Sequence, residues 1–541
     1  MNLHEVIADG LAQLGVSHLY GLIGDANLFM VNSYVATGTG RYIACNHEAN
    51  AVLAAIGHAQ VTGRTGVATI THGPALTNAA TALAEAAKGG IPLVVLCGDT
   101  APGDLQHIQN IDQREVVRAT GAEFIDLRGP DTALTDLERA FRLAGHNRRP
   151  VVLNMRVDQQ WAETEPQTIA FGLPEVTLAP ASGPLLEEAV GMLASAKRPL
   201  ILAGRACIDP DAREALIALA DRIEAPLATT LKAQALFEGH PHNIGISGNL
   251  SHPTATEVIM QSDCILAFGA SLSKYTTENG TYTKGKRVVQ VLPDALETPR
   301  MDPPSIRLIG DIAGTAQAMT ALLDLAEIPG SAAADTALAE RLAAEATAQR
   351  VLPPAQPTAP GTVDIVPALR RLHQALPRRR VLVADLGRFV FSAWRNLPVT
   401  DPRDLVFTAH FGGIGCGMGQ AIGAATAVDD RPTVLVAGDG GFLLSAMGEL
   451  SALRREGADM VIILCNDGSY GAEHVQFTNR RIAPDLSMIA PPDFAAVARA
   501  NGLEAVAVTD ASSLDAACAA IGARRGPLLI DLRLDPEKVF K

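Results

Sequence analysis

The sequence predicts an α/β protein built from parallel sheets with helices covering both faces. Three observations carry this prediction. Short apolar runs of strand length recur along the chain, they are continuous rather than alternating, and longer Ala- and Leu-rich stretches of helical length separate them. Continuous apolar runs are what strands buried on both faces require.

In order, the runs are TGVATI (65–70), IPLVVLCGDT (91–100), RPVVLNM (149–155), RPLILAG (198–204) and CILAFGAS (264–271). KRVVQVL (286–292), RVLVADLG (380–387), PTVLVAGDG (432–440), MVIILCND (460–467) and GPLLIDLRL (526–534) complete the series. Two composition shifts interrupt it. Residues 162–184 are rich in Pro and turn residues, and a stretch from about 328 starts IPGS, passes through an Ala-rich helical segment and ends VLPPAQPTAPG. Proline-rich stretches of this kind read as extended linkers. The expected domains are therefore 1–165, 183–327 and 360–541, with 328–359 as linker. Units one and three invite comparison as copies of one sheet plan.

At 541 residues and 48% hydrophobic, the chain can hold three or four cores at ~150 residues each. The formal charge is -14, and no block of Lys or Arg could track a phosphate backbone or an anionic membrane. A small-molecule partner is expected, with no nucleic acid and no membrane. The N-terminal residues scatter charges among apolar side chains, and nowhere do about 18 uncharged apolar residues run together. A cytoplasmic protein is the expectation. The seven cysteines form no CxxC pair, which argues against both a disulfide framework and a zinc site.

The chemistry concentrates at two strand ends. VLVAGDGG places Asp439 among Gly438, Gly440 and Gly441, and VIILCNDG ends on Asn466 and Gly468. In parallel sheets, ligands collect at the carboxyl ends of strands. Glycines let a bulky anion approach the backbone, but a carboxylate beside that anion would repel it unless a cation lay between them. One carboxylate, one amide oxygen and one carbonyl, completed by a diphosphate, suit Mg2+. Asp439, Asn466 and the Gly468 carbonyl are the expected metal ligands. Alone, Gly-Asp-Gly after a strand is more often a tight turn. The 27 residues from Asp439 to Asn466 are a strand-helix-strand length, which returns the chain to an adjacent strand end.

GDGGFLLSAMGELSALRREGADMVIILCND resembles the diphosphate and magnesium motif of thiamine diphosphate enzymes, with Cys465 in place of that motif's first Asn. Similarity to the acetolactate synthase and pyruvate decarboxylase superfamily extends over nearly the whole chain. GLIGDANLFMVNSYV resembles the Gly-Asp loop of pyruvate decarboxylases, and CNHEANAVLAAIGHAQVTG the segment of the cofactor-activating glutamate. THGPALTNAATALAEA is similar to a Gly-Pro-Gly-x-Thr-Asn segment of acetolactate synthases, KRPLILAGRA to the start of the middle domain, and AHFGGIGCGMGQAIGAATA to the pyrimidine-side loop.

The resemblance implies thiamine diphosphate and Mg2+ as cofactors, held between a pyrimidine-binding first domain and a diphosphate-binding third. It implies Glu48 as the carboxyl group that activates the aminopyrimidine, acting on the cofactor of a partner subunit. Ile414 would hold the two rings of the cofactor face to face, and the Gly412 carbonyl would receive its amino group. Asp385, Gly387 and Arg388 would line the cleft, with a buried strand-end turn as the other reading. Asp25, His72, His107 and Gln109 are the substrate-facing candidates, and Asp25 matches the residue that handles a proton after carbon dioxide leaves. Tyr470, Glu473, His474 and Phe477 read as pocket wall or lid, or as a surface helix.

TGAEFIDL stands where acetolactate synthases carry a basic residue after the Gln loop, and GASLSKYT where they carry the arginine of a Gly-Ala-Arg near their flavin, which argues against FAD. The expected activity is decarboxylation of a small 2-oxo acid with ligation of the acyl carbanion to an aldehyde or ketone. Simple decarboxylation, acyloin cleavage and a non-catalytic cofactor-binding role are the alternatives. Because the active sites would lie between subunits, a homodimer is the least assembly and a homotetramer the usual one.

Overall fold

The computed structural model describes residues 1–169, 173, 176–294 and 303–538. Part of the proline-rich stretch 162–184 lies outside them. Among the described residues, eighteen strands form three six-stranded sheets, and every pairing between named strands is parallel. No helix of the described residues is long and apolar enough to cross a membrane.

The first sheet holds β1 (His18–Gly21), β2 (Arg41–Ala44), β3 (Gly66–Ile70), β4 (Leu93–Asp99), β5 (Glu123–Asp126) and β6 (Pro150–Arg156), in the order β2-β1-β3-β4-β6-β5. The second holds β7 (Pro199–Ala203), β8 (Leu227–Thr229), β9 (Asn243–Ile246), β10 (Cys264–Phe268), β11 (Arg287–Leu292) and β12 (Ile306–Ile309). Its order, β9-β8-β7-β10-β11-β12, is the doubly wound plan 3-2-1-4-5-6. The third holds β13 (Val381–Ala384), β14 (Leu405–Phe407), β15 (Thr433–Gly438), β16 (Met460–Asn466), β17 (Glu504–Val508) and β18 (Leu528–Arg533), ordered β14-β13-β15-β16-β18-β17. The first and third sheets therefore follow one plan, position for position.

Contacts divide the chain into two compact units. Residues 1–175, 354–397 and 406–541 form one, and 176–353 with 398–405 form the other. Inside the stretch read as linker, Thr336–Arg350 is a helix, because Leu338 and Leu342 lie one turn apart and both bury against the apolar cluster of the second unit.

In the first unit, the helix after β2 (α1, Glu48–Thr62) and the helix after β14 (α2, Gly417–Ala427) hold equivalent places and pack on each other. Glycine makes the contact possible. A Cβ on Gly57 would sit 2.0 Å from the Gln420 carbonyl oxygen, and one on Gly423 would sit 1.8 Å from that of Ala54. A buried bond from Gln60 Nε2 to Gln420 Oε1 at 2.9 Å fixes the register of the two helices.

His58 lies in this seam, its Nδ1 3.2 Å from the Tyr20 hydroxyl, and burial pushes its imidazole down to about 4. The folded chain therefore keeps His58 neutral where the unfolded chain protonates it. This contribution, about 3 kcal/mol for such a shift, is present above pH 6.5 and lost as pH falls toward 4. His373, lowered to about 4 by burial and the Arg380 charge, adds a second contribution of the same sign. Between pH 7 and 4, His58→Gln is expected to retain more of its urea midpoint than the wild type, because the variant lacks the proton that the unfolded wild-type chain takes up at His58. An unchanged slope would contradict this account of the seam.

Candidate active site

β15 and β16 pair in register with Gly438 opposite Cys465, so the next residues, Asp439 and Asn466, leave adjacent strand ends together. Both side chains are buried. Asp439 Oδ1 accepts the Gly440 N–H at 2.9 Å and Oδ2 accepts the Gly468 N–H at 2.7 Å. Burial, reinforced by the nearby Asp467 charge, pushes the Asp439 carboxyl up to about 7. A buried carboxylate under that penalty favours a proton or a cation.

Asn466 Nδ2 donates to Asp531 Oδ1 at 2.8 Å, which fixes the amide so that its oxygen is the atom left to face a cation. Gly468 takes a left-handed φ of 66°. Its carbonyl already accepts the Ile489 N–H at 2.8 Å and can serve a cation only through its second lone pair. The cradle is close-fitting: a Cβ on Gly440 would meet the Tyr470 ring at 2.8 Å, and one on Gly441 would lie 2.9 Å from the Gly415 nitrogen. This donor set, a carboxylate, an amide oxygen and a carbonyl beside glycine backbone, fits Mg2+ with a diphosphate.

Asp385 and Arg388 hold the loops around this cradle. Asp385 Oδ1 accepts the Leu386 N–H at 2.8 Å and Oδ2 the Gly415 N–H at 2.9 Å. It thereby ties the end of β13 to the turn that carries Gly412 (φ 87°) and Ile414, and burial raises its carboxyl to about 6. Ser445 Oγ donates to the Gly415 carbonyl from the other side. Arg388, next to Gly387, bonds Asp467 Oδ2 through Nε at 2.8 Å and the Pro536 carbonyl through NH1 at 3.0 Å. The polar ends of both side chains are thus engaged by protein.

Glu48 opens α1, where a carboxylate complements the helix N-terminus, and its Oε2 accepts from Asn78 Nδ2 at 3.0 Å. The segment before it is gripped from the third sheet's side of the unit. Both oxygens of buried Glu449 accept the Asn46 N–H, at 2.9 and 3.1 Å, and Oε1 also accepts from Asn50 Nδ2. Burial raises the Glu449 carboxyl.

A third group gathers at the ends of β1, β3 and β4. One ligand atom each from Asp25, His72 and His107 lies within 4.8 Å of the others. His72 is fully buried, and burial lowers its imidazole pKa, with the His107 ring 5.1 Å away by centroids. Gln109 joins through its backbone: its N–H donates to His107 Nδ1 at 3.2 Å, and its carbonyl packs where a Cβ on Gly73 would fall. Among the lid candidates, Tyr470 is 42% exposed and covers Gly440, while His474 is buried with Nδ1 3.2 Å from Ser487 Oγ. Glu473 and Phe477 lie on the helix Gly471–Asn479.

Sequence reasoning missed Glu449, Asp467, Asp531 and Thr71. Glu449 alone carries a readable signal, an acid set among the apolar residues of SAMGELSAL.

Two strand ends present a buried carboxylate and an amide oxygen beside a glycine cradle, an arrangement able to hold a metal ion and a diphosphate. Three family profiles match the chain: the thiamine pyrophosphate enzyme N-terminal TPP binding domain over residues 1–116, the central domain over 186–319 and the C-terminal TPP binding domain over 385–532. The chain belongs to the thiamine diphosphate-dependent enzymes, within the superfamily of 2-oxo acid decarboxylases and carboligases.

Its relatives include the sulfoacetaldehyde acetyltransferase of Alcaligenes xylosoxydans xylosoxydans, 28% identical with 94% of this chain and 88% of the relative covered. The acetolactate synthase large subunit of Parasynechococcus marenigrum is 26% identical, covering 98% and 86%. A Pseudomonas aeruginosa protein named "Probable 2-ketoarginine decarboxylase AruI" is 26% identical, covering 97% and 92%.

Proposed function

We propose that the chain decarboxylates a small 2-oxo acid and passes the remaining acyl unit to an aldehyde or ketone. The reading rests on one observation above all: Asp439 and Asn466, in register at adjacent strand ends, offer a charged and a neutral oxygen to one Mg2+. Asp439, Asn466 and the Gly468 carbonyl hold that ion, and the glycines 438, 440 and 441 admit the diphosphate. Thiamine diphosphate, when bound, supplies the electron sink that lets carbon dioxide leave a 2-oxo acid.

The protein's own residues do the rest. With the cofactor bound, Glu48 would hold a proton beside the pyrimidine ring, Ile414 and the Gly412 carbonyl would orient the rings, and Tyr470, packed on Gly440, would cover the diphosphate side. Asp25, His72 and His107 face the substrate and move its protons. Glu48 serves the site of a second copy, which makes a homodimer the smallest active form.

The Asp25, His72 and His107 cluster favours a second reading, in which a proton rather than a carbonyl compound ends the reaction. Product analysis separates the two. With pyruvate, Mg2+ and thiamine diphosphate, acetolactate or acetoin supports ligation, and acetaldehyde as sole carbon product supports simple decarboxylation. Carbon dioxide release from no 2-oxo acid, with cleavage of an acyloin instead, would overturn both in favour of a lyase.

A further inference from the structure

Asp25, His72 and His107 come close together, and hydrogen bonds engage the Nδ1 atom of each histidine. The Gln109 N–H donates to His107 Nδ1, so the neutral His107 ring carries its proton on Nε2. At His72, the bond comes from a side chain to which the site as described so far gives no role. Thr71 Oγ lies 3.1 Å from Asp25 Oδ1 and 3.1 Å from His72 Nδ1. A hydroxyl has one hydrogen, and an ionised carboxylate can only accept. Thr71 therefore donates to Asp25 and must accept from His72, so the His72 proton resides on Nδ1. Its Nε2 is left as a buried lone pair, and that atom has no hydrogen-bond partner among the described residues.

The backbone around this contact is built to hold it. A Cβ on Gly24 would lie 2.7 Å from Thr71 Cβ, so only glycine lets the Asp25 loop close over Thr71. Asn27 pins that loop through Gly24 N at 2.7 Å and Thr69 Oγ1 at 3.1 Å. Gln113 pins the turn after His72 through Gly73 N at 2.7 Å, and is itself tied to Asn154 at 2.7 Å.

We propose that Thr71 is a positioning residue of this site: its hydroxyl fixes His72 in the tautomer whose Nε2 accepts, and holds Asp25 turned into the same cluster. The proposal rests on the functional reading above only for its consequence, the delivery of a proton to the decarboxylated substrate. The charged and titratable groups around His72 are Asp25, His107 and Asp99. Thr71→Val keeps the shape against Gly24 and removes the hydroxyl, while Thr71→Ser keeps the hydroxyl.

In the holoenzyme, Thr71→Val is expected to lower release of the protonated product about tenfold or more, and so to raise the share of ligated product. The acid limb set by protonation of His72, whose pKa burial already lowers, is expected to move to lower pH, because the imidazolium loses the Thr71 oxygen as acceptor. Thr71→Ser is expected to restore both to within about twofold. A neutron structure of the wild-type protein is expected to place deuterium on Nδ1 of His72. Deuterium on Nε2, or a Val variant with unchanged product ratio and pH profile, would overturn the proposal. If the wild type decarboxylates no 2-oxo acid, the functional reading fails, and the neutron map still decides the role of Thr71.

Discussion

Asp439→Asn is expected to weaken Mg2+ binding by about a hundredfold or more, since loss of a residue that merely supports a metal ligand already costs 10–100-fold. The substitution preserves shape and removes the charge, and its Nδ2 takes the place of an oxygen that accepts a backbone N–H, so the loss combines the electrostatic part of the site with one hydrogen bond. The unsubstituted carboxyl is pushed to about 7 by burial and by Asp467, an unfavourable arrangement that a divalent cation reverses. Wild-type protein is expected to gain thermal stability when Mg2+ and thiamine diphosphate are added together, and the variant to gain none. Equal stabilisation of both proteins would show that Asp439 belongs to a structural turn rather than to a metal site.

The second large effect is expected at Glu48. Glu48→Gln can still accept from Asn78 Nδ2, so the local fold survives, but it cannot hold and release a proton. Turnover is expected to fall by roughly 10²–10⁴ or more. Affinity for thiamine diphosphate and Mg2+ is expected to change by only a few-fold, because Asp439 and Asn466, the residues proposed to hold the metal, lie on the other sheet. Calorimetric titration of the cofactor beside a turnover assay separates the two effects. A variant that loses binding and rate together would make Glu48 a structural residue.

How far the sequence could be read follows from where the strands lie. All ten apolar runs became strands, among them β3, β4, β6, β7, β10, β15 and β16, whose residues are largely buried. The strands without a readable run include the sheet edges β2, β5, β9, β12, β14 and β17. An edge strand is covered on fewer sides, so mixed residues suffice there; in β2 only Ile43 is buried, and in β17 only Val508.

The pairing of Asp439 with Asn466 was legible because parallel strands joined by one helix return the chain to the same end of the sheet. The grip of Glu449 on Asn46 was not, since the two residues are 403 apart in sequence and meet only when two sheets pack. Asp385 and Arg388 show the same limit. The resemblance assigned them to the cleft but carried no sign of the backbone groups and the Asp467 carboxylate that engage them. Gln109 was read as a side chain facing substrate, and its described bonds run through its backbone. Thr71 carried no signal at all, since one hydroxyl beside a histidine is ordinary until the fold brings Asp25 to it.

The most direct test of the central claim is carbon dioxide release from a panel of small 2-oxo acids, with Mg2+ and thiamine diphosphate added to purified protein and Glu48→Gln as the blank. The account predicts release from at least one acid, dependent on both cofactors and absent from the blank. Release that survives removal of Mg2+ by a chelator, or that equals the rate of the Glu48→Gln blank, would contradict it.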